Sequence, residues 1–395
     1  MNQGILKGLR VLDFTWVLAG PYATRILADF GAEVIKVQSK KTATGAESNL
    51  TGYFNTWNRN KLSITLDMIH PEARDIVLKL AEKSDVVMEN FSPRVMANWG
   101  LNYEKLKEVK ANLIMVSISA MGQTGPWRDF VGFGPTIQAL SGFTYLTSFD
   151  KGSPLGVGYA YADMIVGLYA ALVVLSALEY RDRTGQGQYI DLSEYEAMCT
   201  LIGPSLMDAS VNRREVLPHG NRPDYIPAAP YGCYKCLGTD RWCVIAVFNQ
   251  EEWEALCRIM GNPSWTKEEK FSTLSKRKEN SKKLDGFIEQ WTTQRTPEDV
   301  MQLLQEAGIS AGVVQNGEDL AKDPQLKARD FFIPLDHATL GRTISDSTPI
   351  RFKDNSKVPW KAAPLLGEDN RYVCLELLGF KEDDLSSYIE RGIVG

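Results

Sequence analysis

The sequence predicts an α/β protein of two domains: a larger one on a parallel sheet flanked by helices, and a smaller α+β unit. Three observations predict this. Strand-like and helix-like patterns alternate through the first half of the chain, as they do when parallel strands are joined by helical crossovers. A loop rich in Pro, Gly and Asn, Leu217 to Pro230, separates that half from a stretch with a different pattern. A length of 395 residues also exceeds what one simple core organises.

The elements follow in order. Arg10-Val11-Leu12-Asp13-Phe14 reads as a buried strand. Pro21 suits the first turn of a helix through Phe30, and Gly31 suits its end. Glu33-Val34-Ile35-Lys36-Val37 is the next strand and completes a βαβ unit. Pro71 opens another helix, with Ile76, Val77, Leu80 and Ala81 at helical spacing. Asp85 to Met88 is a strand, Tyr103 to Lys110 a helix, and Leu113 to Ile118 a strand. Asp163 to Arg181 reads as one long helix, apolar almost all round and therefore buried. After the Arg183–Gly187 turn come a strand, Gln188 to Leu192, and a second long helix, Glu194 to Val211. Beyond the loop, strands at Tyr231–Cys236 and Trp242–Phe248 flank a Gly238-Thr239-Asp240 turn. Helices follow at Gln250–Met260, Ser281–Thr292 and Pro297–Ala307. Asp323-Pro324 marks the exit of the smaller unit. The tail from Phe331 reads as loop-rich, with an amphipathic helix near Asn370–Leu378.

Composition narrows the function. Lys and Arg total 44 against 49 Asp and Glu, a formal charge of -5. A general nucleic-acid binder carries a basic excess, and none is present. Six cysteines are too sparse for a secreted disulfide scaffold. Met1 to Arg10 has no apolar core of signal-peptide length, so Asn49-Leu50-Thr51 and Asn90-Phe91-Ser92 are expected to be chance triplets rather than glycosylation sites. The longest apolar stretch, Met164 to Leu178, falls short of the roughly 20 residues of a membrane span. A soluble cytoplasmic protein, with no membrane partner, is expected.

Several chemistries lack their motif. There is no Walker-type phosphate loop, and Gly132-Phe133-Gly134 has no third glycine at the offset a dinucleotide fingerprint needs. His70, His219 and His337 lie far apart, without metal-ligand spacing. Cys233-x-x-Cys236, with Cys243 beyond, falls in strands, where residues three apart point to opposite faces, so no metal is expected.

The informative residue is Asp163, in Gly158-Tyr159-Ala160-Tyr161-Ala162-Asp163 at the mouth of the apolar helix. By itself it reads as a helix N-cap. It also reads as a carboxylate nucleophile at a helix N-terminus, where backbone N–H groups stabilise an anion and a covalent acyl intermediate can form.

The wider chain bears on that choice. Asp13-Phe14-Thr15-Trp16-Val17-Leu18-Ala19-Gly20-Pro21 is followed by Leu27-Ala28-Asp29-Phe30-Gly31-Ala32-Glu33, then Asn58-Arg59-Asn60-Lys61-Leu62-Ser63-Ile64-Thr65-Leu66-Asp67, Glu89-Asn90-Phe91-Ser92-Pro93 and Arg183-Thr184-Gly185-Gln186-Gly187-Gln188. In this order the segments resemble the family III CoA-transferases, a family that also holds α-methylacyl-CoA racemases, from about Leu6 to the C-terminal region. The resemblance implies a Rossmann-like large domain made from both chain ends: 1–216 and 324–395, with 217–323 as the small domain. It implies two ring-like chains interlocked as a homodimer, or as a heteromer with a related chain. It implies Asp163 as a nucleophile that forms an aspartyl anhydride and then an aspartyl-CoA thioester. Coenzyme A esters are then substrates, and no tightly bound cofactor is implied.

Matched CoA positions are Val17, Leu18, Ala19, Leu66, Asn90, Phe91 and Ser92. Two arginines of the family pattern fall on Ser39 and Asn98, so Lys40, Lys41 and Arg94 are the substitutes for the phosphate contacts. Where a racemase carries histidine, this chain has Phe133, which cannot exchange an α-proton, so a transferase is expected over a racemase. Phe133, Tyr145, Tyr159 and Tyr161 point to an apolar or aromatic acyl group, with Phe133, Gly134, Tyr159 and Tyr161 as its pocket. The Asp13–Pro21 and Asp163 segments resemble transferases of anaerobic aromatic degradation, which implies succinyl-CoA as donor and benzylsuccinate as acceptor. Carnitine-type and bile-acid-type transferases are neighbouring options. A non-catalytic subunit of a heteromer is a further reading, but such a chain would lack the aspartate.

Overall fold

The computed structural model describes residues 4–221, 226–353 and 359–395. The chain forms two compact units. The first comprises Met1–Thr144, Gly156–Glu215 and Leu326–Gly395; the second comprises Tyr145–Leu155 and Val216–Gln325. Residues 145–155, placed by the sequence in the continuous stretch 1–216, thus group with the second unit.

The first unit is built on six strands: β1 (Arg10–Asp13), β2 (Glu33–Gln38), β3 (Leu62–Thr65), β4 (Val86–Glu89), β5 (Ile114–Ser119) and β6 (Tyr189–Ser193). They run parallel in the order β3-β2-β1-β4-β5-β6. The order reverses direction between β1 and β4, and open α/β sheets bind ligands at such a point. Both faces are covered, as parallel sheets require. Val11, Val34, Val86, Ile114 and Val116 pack under helix α1 (Ala19–Asp29) and the helix Tyr161–Thr184. Leu12, Ile35, Ile64, Val87 and Met115 pack on the helix Pro71–Glu82 and on Val373, Leu385, Ile393 and Val394 of the C-terminal segment.

Four local readings change. Leu62–Thr65 pairs with β2 and forms a strand the hydrophobic pattern does not announce. Its buried Ser63 bonds Gln38 Oε1 at 2.9 Å, and its N–H groups are taken by Asp369 (2.8 Å) and Asn370 (2.9 Å). Glu194–Val211 is two helices, Glu194–Leu201 and Gly203–Val211, because Pro204 has no N–H to continue the first. The loop-rich tail contains an antiparallel hairpin, β10 (Phe332–His337) with β11 (Gly341–Asp346). The C-terminal amphipathic segment is wound as a wide π-helix over Tyr372–Leu377.

The 24-residue helix Tyr161–Thr184, whose most apolar 18 residues have mean hydropathy 1.9, is long and apolar enough to cross a membrane by length and composition, beyond the shorter run read from sequence. Here one face, Val166, Ala170 and Val174, lies in the core beneath the sheet.

In the second unit, β7 (Tyr231–Lys235), β8 (Trp242–Ala246) and β9 (Ser310–Val313) form an antiparallel sheet. Helices Gln250–Ile259, Ser281–Thr292 and Pro297–Glu306 cover it through Trp253, Leu256, Leu284, Ile288, Val300 and Leu304.

Candidate active site

Asp163 is the third residue of its helix, so it is not the cap. Ala160 holds that position without a side-chain bond. Gln138, buried on the helix Gly134–Leu140, takes the Tyr161 N–H instead, at 2.8 Å. The capping role falls to Gln138, and the Asp163 carboxylate meets other partners.

Those partners come from three elements. Ala19, the first residue of α1, lies close enough for its backbone N–H, like that of Asp163 itself, to favour the ionised carboxylate. Gly134 presses on it from a second side: a Cβ there would lie 2.2 Å from Asp163 Oδ2. Gly167 makes the approach of the two helices possible, since a Cβ there would meet Ala19 O at 2.8 Å and Tyr22 Cδ1 at 2.9 Å. Glycine is thus required at both positions for closeness, not for backbone freedom.

Burial pushes the Asp163 carboxyl up to about 6, against the two N–H donors, which pull it down. Glu194, the first residue of its helix, is buried, and its Oε1 has no hydrogen-bond partner among the described residues. Burial, and then the charge of Asp163, push Glu194 up to about 8. Two carboxyls coupled in this way lose their protons as a pair. Asp163 has N–H groups that favour its ionised form, whereas Glu194 has none at Oε1 among the described residues and is held higher.

Aromatic residues gather beside Asp163. The Tyr53 hydroxyl is pushed up to about 12 by burial and then by the charges of Asp163, Tyr159 and Glu47. Tyr53 and Tyr22 both pack edge-on against Trp57, at 6.3 and 5.6 Å between ring centroids. Tyr161 stacks on Phe143 at 5.4 Å, and Phe133 is the exposed residue that precedes the Gly134 helix. Of the aromatics singled out in the sequence, Tyr159 lies near Tyr53 and Tyr22; Tyr53, which feels the Asp163 charge, and its neighbour Trp57 have no local signal to mark them. Tyr145 belongs to the second unit.

A cavity of about 440 Å³ opens at the C-terminal ends of β1 to β4. Leu66, Phe91, Ser92 and Lys41 line it, with Thr15, Trp16 and Glu47. Asn90 fixes its rim: its side chain accepts the Trp16 N–H at 2.8 Å and donates to Trp16 O at 3.0 Å. Val17 follows with a positive φ of 62°, and Leu18 and Ala19 are buried at the start of α1. The three basic residues differ in setting. Lys40 is exposed. Lys41 pairs with Asp67 at 2.7 Å and Arg94 with Asp129 at 2.5 Å. Arg94 is not among the cavity's lining residues.

Beneath the rim lies a buried ionic cluster. Lys61 Nζ donates to Asp13 Oδ2 (3.0 Å), Thr24 Oγ1 (2.6 Å), Asn58 Oδ1 (2.9 Å) and Pro21 O (3.1 Å). Burial lowers Lys61 to about 8 despite Asp13. The motif that contains Lys61 thus holds the start of α1 in place.

Comparison with known proteins identifies the family. The sequence profile of CoA-transferase family III matches residues 6–370. Succinyl-CoA–D-citramalate CoA-transferase of Chloroflexus aurantiacus is 33% identical over 96% of this chain and 96% of its own length. A probable CoA-transferase of Mycobacterium tuberculosis is 30% identical over 98% of this chain, which spans 50% of that longer protein. The crystal structure of a CAIB/BAIF family protein from Brucella suis superposes with a TM-score of 0.86 at 33% identity, over 95% of this chain and 100% of that one. The strand order, the matched profile and these identities converge: the chain belongs to CoA-transferase family III.

Proposed function

We propose that this enzyme moves CoA from succinyl-CoA to a carboxylic acid with an aromatic or apolar tail, of the benzylsuccinate kind, through Asp163. The observation that carries the reading is the Asp163 carboxylate at the start of α1, with the Ala19 N–H directed at it and Gly134 against its Oδ2. The name of the Chloroflexus relative supports succinyl-CoA as donor. The aromatic group around Tyr53 and Trp57 supports the acceptor class.

The reaction is balanced without a cofactor. An Asp163 oxygen attacks the thioester carbonyl; the C–S bond breaks and CoA leaves as thiolate with the electron pair. The thiolate attacks the aspartyl carbonyl of the anhydride and expels the donor carboxylate, leaving an aspartyl-CoA thioester. The acceptor carboxylate attacks that thioester, giving a second anhydride and thiolate. The thiolate then attacks the acceptor carbonyl and restores the Asp163 carboxylate. The Ala19 N–H lies beside the aspartyl oxygen that gains negative charge in the two attacks on the aspartyl carbonyl, by thiolate on the anhydride and by acceptor on the thioester. Excluding water protects the anhydride, and the half-buried setting of Asp163 supports that.

The CoA chain occupies the 440 Å³ cavity in this reading, past Leu66, Phe91 and Ser92, with Lys40, Lys41 and Arg94 toward its phosphates. A second chain, identical or related, covers the outer face of the Tyr161–Thr184 helix. Leu168, Leu172 and Leu175 there are 49%, 60% and 43% exposed, which supports a missing neighbour. A racemase is disfavoured by Phe133, and a non-catalytic subunit by the presence of Asp163.

The test is a trap. Incubated with succinyl-CoA and no acceptor, then hydroxylamine, the protein is expected to carry one hydroxamate, on Asp163, by peptide mapping. Label on another residue, or none during active turnover, refutes the mechanism.

A further inference from the structure

The transfer steps leave one charged residue without a role. Glu47 lies in the short turn Gly45–Glu47. Its Oε1 accepts the Val17 N–H at 2.7 Å, and its Oε2 stands 3.6 Å from Lys36 Nζ. Lys36 is 1% exposed and donates to Thr15 O at 2.6 Å. Val17, the acceptor's target, has a φ of 62°. A β-branched residue avoids that region strongly, because its branches collide with its own backbone there. Such a conformation persists only where the surroundings over-determine it.

Here they do, residue by residue. Asp13 Oδ1 accepts the Thr15 N–H at 2.8 Å. Asn90 grips the Trp16 N–H and carbonyl. Glu47 takes the Val17 N–H, and two residues later α1 begins with the Ala19 N–H at the Asp163 carboxylate. Thr15 and Trp16 are held whatever Val17 does. The peptide between Val17 and α1 is aimed by the Val17 dihedral, and Glu47 is the side chain that bonds the Val17 N–H. A charged acceptor holds an N–H more firmly than a neutral one. Lys36, 3.6 Å from Oε2, gives that carboxylate a cationic partner.

We infer that Glu47, backed by Lys36, is a positioning residue for the transfer reaction: by holding Val17 in the left-handed turn it aims the Ala19 N–H at the Asp163 carboxylate. This rests on Asp163 being the nucleophile. Without the acceptor, Val17 relaxes to negative φ, the start of α1 turns, and the donor leaves the oxygen it serves.

The experiment measures the rate of Asp163 hydroxamate formation with succinyl-CoA alone, across donor concentrations. Glu47→Ala is expected to slow labelling about 10–100-fold at saturating donor, with the half-saturating concentration changed less than about threefold, as misaimed groups cost rate rather than binding. Glu47→Gln keeps an oxygen acceptor and is expected to stay within about tenfold of the wild-type rate. Adding Val17→Gly to Glu47→Ala is expected to recover at least about threefold over Glu47→Ala alone, since glycine takes positive φ without strain. A fold-stabilising role alone would not produce that recovery. Where Glu47→Ala does not fold, Glu47→Met, which fills the space without an acceptor, takes its place. Labelling by the acceptor-free variant within about twofold of wild type, or no gain from Val17→Gly, overturns the proposal. Absence of Asp163 label in the wild-type protein itself overturns the nucleophile reading instead, so the two failures are distinct.

Discussion

Gly134→Ala separates the chemistry from the fold. The new methyl would lie 2.2 Å from Asp163 Oδ2, about 1 Å or more short of ordinary contact. Its next neighbours, Ala160 Cβ at 3.1 Å and Cα at 3.3 Å, need give only a few tenths of an ångström. Gly134 has no positive φ, so alanine meets no backbone strain there. As a better helix former it gains roughly 0.5–1 kcal/mol over glycine in a helix interior, and less in a first turn. The cheapest accommodation is rotation of the Asp163 side chain, which carries the carboxylate about 1 Å away from the Ala19 N–H. A displacement of that size costs on the order of 100-fold in rate. The expected outcome is therefore a variant with wild-type circular dichroism, a melting temperature close to wild type and a kcat reduced about 100-fold. Transfer from succinyl-CoA to a panel of acids, read by chromatography of the CoA esters, measures it. A Gly134→Ala enzyme with wild-type kcat would show that the carboxylate has no need of the position it holds, and the reasoning would fail.

Four further outcomes follow from the same site. Asp163→Asn is expected to abolish transfer and yet to stabilise the protein at pH 8. A buried carboxyl held near 6 folded and near 3.8 unfolded makes stability fall as pH rises between those values, by about 3 kcal/mol at most; a melt at pH 8 that favours wild type contradicts this. The rate should decline as pH drops through about 6, where Asp163 takes up its proton. Glu194, raised to about 8, makes wild-type stability fall as pH rises between its unfolded value and about 8, so Glu194→Gln should resist denaturant better than wild type at pH 9, with equal sensitivity counting against the assignment. Finally, with Phe133 where a proton-exchanging base would stand, 2-methylacyl-CoA esters in deuterium oxide are expected to show no enzyme-dependent exchange at the α-carbon by NMR; fast exchange would restore the racemase reading.

The sequence alone determined what short-range physics determines. Val11-Leu12 and Val34-Ile35 are strands because continuous apolar runs suit a sheet buried on both faces, and each alternate residue finds a core. The long helix was legible because its apolar character continues for about four turns, and the order of motifs from Asp13 to Gln188 carried the family. Leu62–Thr65 was not legible as a strand. Two of its four residues are polar, and they are buried only because Gln38, Asp369 and Asn370, up to 306 residues away in the chain, bond them. The break at Gly203-Pro204 was overridden by an apolar pattern that runs through it. At the site, the identity of Asp163 was readable, but its role as cap or free carboxylate was not, because the Tyr161 N–H is taken by Gln138, 23 residues earlier than Tyr161 in the chain. Nothing local marks Glu47, Tyr53 or Glu194. Their importance lies in what the fold brings beside them, Val17 and Lys36 at Glu47 and the Asp163 charge at Tyr53 and Glu194, and the close approach of α1 to the Tyr161–Thr184 helix, through a glycine that leaves no room for a methyl, is a tertiary contact that no local pattern specifies.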